Sequence, residues 1–140
     1  MDIKKSLEAK VVKVDESLGV VIGYAIICKE LDDEGEFQEY VDLQDDHVTE
    51  KAMTECALEF MEKSRVAKLQ HDGDPIGQVV FGLPLDEDTA DKLGMTLTKT
   101  GFIVGIKPDD KGVLAKYASG ELTGFSIGGF VNKLEDENAS

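Results

Sequence analysis

Two apolar, β-branched runs open the pattern: "KVVKV" (residues 10–14) and "GVVIGYAIICKE" (residues 19–30), separated by the polar "DESLG". They predict two strands of a hairpin. The polar "LDDEGEF" predicts a turn, and "FQEYVDL" a short strand after it. From residue 45 the period changes. Ala52, Cys56 and Phe60, with Ala57 and Met61 one turn offset, recur at helical spacing behind Thr49, a residue suited to capping a helix start. "VAKLQH" and "GQVVFGLPL" predict strands joined across "HDGDPI", whose Gly73 and Pro75 signal a turn. "DEDTADKLG" predicts a short helix ending at Gly94, "GFIVGIKP" a strand, and "DDKGVLAKYASG" a helix stopped by Gly120. "LTGFSIGGFV" is the last strand. Short strands interrupted by three helices, without regular β-α-β alternation, predict an α+β domain built on a curved antiparallel sheet or barrel.

Composition narrows the partners. The 140 residues carry 15 Lys plus Arg against 29 Asp plus Glu, a formal net charge of -14. Such a surface repels nucleic-acid backbones and anionic membranes, and it attracts basic peptide segments. Cys28 sits in the longest apolar run and Cys56 in the first helix, so both read as buried small hydrophobes rather than a disulfide pair. No Cys/His cluster of zinc spacing and no phosphate loop occurs, so neither a metal nor a cofactor is expected. No apolar run approaches the roughly 18 residues of a membrane span. "MDIKKSLEAK" lacks the apolar core of a signal peptide, which makes the cytosol the expected location.

The chemistry centres on "GELTGFSIGGFV", in which Gly124 to Gly128 spell G-x-S-x-G around Ser126. A serine hydroxyl needs a base to become a nucleophile. The α/β-hydrolase elbow does not fit, because that motif needs a helix after the serine and a histidine later in the chain, and no histidine follows Ser126. Only His47 and His71 are available, both upstream. His-before-Ser order is acceptable, since such a unit is defined by geometry. His71 ends a strand and opens a turn, a rigid position with an open side. His47, next to Asp45 and Asp46, reads as a surface residue in an acidic helix start. Gly124, Gly128 and Gly129 clear space around Ser126 for another backbone to approach, and the amides of Gly128 and Gly129 are candidates for an oxyanion hole. A Gly-Ser-Gly strand is, however, more often a bulge or a barrel corner. Pattern alone stops at a soluble α+β domain.

A longer ordered set of residues carries the reading further. Gly23-Tyr24-Ala25, Val41-Asp42 with Asp46, Phe60-Met61, His71, Gly73, Ile76-Gly77, Val104-Gly105, Gly120-Glu121 and Gly124 through Gly129 occur in order and at close spacing. This set resembles the XkdF-like group of tailed-phage prohead proteases. The resemblance implies a herpesvirus-protease-like fold, a curved antiparallel barrel surrounded by a few helices. It implies a serine endopeptidase that cleaves scaffold and major capsid proteins, and itself, during head maturation in the host cytoplasm, inside the assembling prohead. A homo-oligomer is compatible with it. Ser126 is then the nucleophile and His71 the general base. The group that orients the histidine is implied to be acidic and downstream of the serine, where this chain offers only the charged "NKLEDENAS". The third member is therefore unknown and expected outside this chain, which reads as a protease domain over residues 1–132 and a flexible charged tail over 133–140. Asp42, Asp46, Asp72 and Asp74 are the nearest acids and read as turn and cap residues. The alternatives are a non-catalytic capsid-assembly module with the same fold, which would need neither Ser126 nor His71, and an acyl esterase, for which no apolar pocket is evident.

Overall fold

A computed structural model of the chain describes residues 6–41, 47–63, 66–68 and 75–128. The elements run β1 (Ser6–Asp15), β2 (Val20–Leu31), β3 (Phe37–Glu39), α1 (Glu50–Lys63), β4 (Val66–Lys68), β5 (Pro75–Leu85), α2 (Glu87–Lys92), β6 (Lys99–Pro108), α3 (Lys111–Ala118) and β7 (Gly124–Gly128). The expected α+β class holds.

The β1–β2 hairpin forms where the sequence places it. Asp15 Oδ1 accepts from the Leu18 amide at 3.0 Å and the Ser17 hydroxyl at 2.8 Å, and Gly19 turns the chain back at a φ of 72°. β1 nevertheless starts at Ser6, earlier than the apolar pattern suggests. Its first half, "SLEAK", gains its partners from the far end of the chain: Ser6 to Lys10 pair with Gly128 to Gly124. Ala9 of this segment is buried at 1% exposure, but a short, mostly polar stretch carries little hydrophobic signal of its own.

Among the described residues all strand pairings are antiparallel, in the order β1-β7-β4-β5-β6-β2-β3. A further pairing of β1 with β2 brings the strongly curled sheet round on itself. Bulges in β2–β6 and β5–β6 sharpen the bend. The curl needs glycine at close approaches: a side chain on Gly101 would collide with the Ile26 carbonyl, and one on Gly77 with the Lys107 carbonyl.

Helix α1 closes the core. The Thr49 hydroxyl accepts from the Ala52 amide at 3.1 Å, the cap that the sequence predicts. Its apolar stripe, Ala52, Met53, Cys56, Ala57 and Phe60, is fully buried. Phe60 meets Phe102 of β6 edge-on, with ring centroids 6.0 Å apart. Phe102, Val104 and Ile106 of β6, Val21 of β2, and Phe125 and Ile127 of β7 complete one continuous core. Asp86 and Asp110 cap α2 and α3 from extended backbone.

Candidate functional site

The site is built from β7 outward. Phe125 and Ile127 face the core, so strand alternation turns Ser126 to the opposite side. In register, Ser126 pairs with Glu8 of β1 and with Lys68 of β4. The last strand is thus held between the first strand and β4. Its start is fixed from α3: the Tyr117 hydroxyl donates to the Gly124 carbonyl at 2.8 Å. Burial pushes the Tyr117 pKa up to about 12, so this hydrogen bond keeps its proton through the physiological range.

The glycines around the serine do what their chemistry suggests. A side chain on Gly124 would come within 2.9 Å of the Ala9 carbonyl, and one on Gly23 within 2.6 Å of the Lys10 carbonyl. The approaching backbone is the protein's own β1. Gly128 ends β7 opposite Ser6, and Gly129 lies outside the described residues.

Although it faces away from the core, Ser126 is only 1% exposed. Its hydroxyl donates towards Glu8 Oε1 at 3.5 Å. That is long for a hydroxyl–carboxylate bond, which ordinarily closes to about 2.7 Å, so the contact is weak and easily redirected. Glu8 is a neighbour of the hydroxyl that sequence reasoning missed. Nothing in "SLEAK" distinguishes it; only the β1–β7 register brings it to Ser126.

His71 lies outside the described residues, as do Asp42, Asp46, Asp72 and Asp74 and the tail 133–140. Lys68, level with Ser126, is the end of β4, and His71 is three positions further along the sequence. His47 takes a more structural place than the surface position expected for it. Its Nδ1 lies 3.0 Å from the Tyr40 carbonyl and its Nε2 3.9 Å from Glu39, tying the end of β3 to the start of α1. Cys28 and Cys56 are both buried, as the sequence implies. Among the described residues no cluster of His, Cys, Asp and Glu has the grouping of a metal site, and no helix is long and apolar enough to cross a membrane.

No curated protein and no solved structure matches the chain. A family model described as "Putative phage serine protease XkdF" matches residues 10–135, a span that takes in β2 to β7, Ser126 and the position of His71. With nine-tenths of its length so matched, the chain belongs to the XkdF-like family of phage serine proteases.

Proposed function

We propose that the chain is a serine endopeptidase that cleaves scaffold and major capsid proteins during phage head maturation, within the assembling prohead in the host cytoplasm. The observation that carries this reading is the placement of Ser126. It sits on the outward face of a G-x-S-x-G strand, beside the strand that leads into His71, in a chain of a phage protease family. In the proposed reaction the Ser126 Oγ attacks the scissile carbonyl while His71 takes the hydroxyl proton. His71 then returns it to the departing amine, and water repeats the cycle on the acyl-enzyme. The long contact to Glu8 leaves the hydroxyl free to turn towards a base. Amides at Gly128 and Gly129 are the proposed stabilisers of the tetrahedral oxyanion, and residues 133–140 the proposed self-cleavage segment.

The near-complete burial of Ser126 favours a second reading, a capsid-assembly module that keeps the fold and cleaves nothing. One experiment separates the two. The chain is incubated with its phage's scaffold and capsid proteins, with a fluorophosphonate in a parallel sample, and all masses are followed. Cleavage together with a single adduct on Ser126 is expected. Ser126→Ala and His71→Ala should each lower cleavage by at least about a thousand-fold, and to similar levels, because members of one catalytic unit are not additive. A Ser126→Ala variant that processes substrate at the wild-type rate would end the assignment. Intact substrates and an unlabelled Ser126 would favour the assembly module.

A further inference from the structure

On elements other than β7, the β2–β3 hairpin and the segment from α2 to β6 border an open cavity of about 560 Å³. Leu31 and Phe37, which pair across the hairpin, supply one apolar wall, and Met95 and Leu97 supply another. Helix α2 adds three carboxylates, Glu87, Asp88 and Asp91. Two of them have cations: Lys29 bridges Glu87 and Glu50, and Lys92 lies 2.9 Å from Asp88. Among the described residues Asp91 has no cationic partner.

Beneath the apolar walls lies Thr100, which borders the cavity and is fully buried. Its Oγ1 is the one buried side-chain polar atom among the described residues without a hydrogen-bond partner. A buried hydroxyl left unpaired is costly, so the cavity floor carries unused hydrogen-bonding capacity. Above it, β3 ends the strand order, and among the described residues it pairs with β2 alone. Among the described residues its other edge carries no ladder, which is the position an added strand takes.

Apolar walls, an unanswered carboxylate, a floor acceptor and a free strand edge specify one kind of occupant. We propose that this cavity docks a basic segment of extended peptide. A lysine or arginine side chain lays its aliphatic stem against Leu31, Phe37, Met95 and Leu97, turns its cationic end towards Asp91, and completes Thr100. The peptide backbone runs along the free edge of β3. The net charge of -14 draws such segments in. Docking here is independent of whether Ser126 is a nucleophile.

The test uses the full chain carrying Ser126→Ala, so that no peptide can be consumed. A fluorescein-labelled peptide with a lysine between two valines is titrated by fluorescence anisotropy, beside the same peptide with norleucine for lysine. The lysine peptide is expected to bind at least ten-fold more tightly. Asp91→Asn should weaken it about ten-fold, while Glu62→Gln, the same charge change at an exposed position of α1, should leave it unchanged. Thr100→Val should weaken the lysine peptide and spare the norleucine one. Equal affinity for the two peptides, or tighter binding of norleucine, overturns the proposal. So does an equal loss in Asp91→Asn and Glu62→Gln, which would reduce the effect to net charge.

Discussion

Thr100 sits in β6 with its hydroxyl buried and unpaired, a penalty that the free protein carries. Valine has nearly the same shape and no polar atom. Thr100→Val should therefore stabilise the unliganded fold by about 1 kcal/mol, measured as a raised urea midpoint with an unchanged slope. Cys28 gives a prediction of opposite sign at high pH. Burial, helped by the nearby charge of Glu50, pushes its thiol from 9.0 up to about 12. The unfolded chain releases that proton first, so the stability held below about pH 9 falls as pH rises towards 12. Tyr117, pushed to about 12 by burial, slopes the same way. Urea melts across this window should show a shallower decline in Cys28→Ala. In the native state at neutral pH the Cys28 thiol should resist iodoacetamide and react only on unfolding. At this scale the sequence was legible where chemistry has a local spelling. G-x-S-x-G singled out Ser126, and apolar neighbours marked both cysteines as buried. Glu8 and Thr100 had no such spelling, because each owes its interest to residues brought beside it by register and packing.

Helices were the most readable elements. Thr49 announces the start of α1 and the structure uses it, while the caps of α2 and α3, Asp86 and Asp110, emerge only from the structure. Asp86 accepts from the Thr89 amide at 2.7 Å. Its hydrogen bonds to the Thr89 side chain and backbone hold its carboxyl below the usual carboxylate range. A lowered pKa contributes stability above the unfolded value, near 3.8, that is lost as pH falls through the folded one. Asp86→Ala should cost about 1 kcal/mol at pH 7 in urea melts, and the difference from wild type should shrink below pH 4 or so. Phe60, fully buried against Phe102, is the largest anchor of α1; Phe60→Ala should cost about 3–5 kcal/mol by the same measurement. Strands were harder to delimit. β3 covers three residues of a stretch that reads as extended from Phe37 to Leu43, and the last two of those positions lie outside the described residues. β1 is longer than its apolar run, because β7 supplies it with partners.

The whole molecule carries 29 acids on 140 residues, and self-repulsion of that size opposes the compact state. Its melting temperature should rise as sodium chloride increases from about 10 to 200 mM, because screening shortens the reach of each charge. The fold class was readable from strand and helix order, yet the closure of the sheet was not. No local pattern says that the final strand lies between the first strand and β4. That arrangement, already described as a matter of register, also sets a clock. The hydroxyl of Ser126 meets Glu8 across 118 positions of sequence, and its partners on both flanking strands come from the first half of the chain. A ribosome delivers β1 well before β7. Until the last strand has emerged and slipped into its slot, the surroundings of Ser126 do not exist. Whatever chemistry this serine performs is therefore withheld from a nascent chain until β7 has emerged.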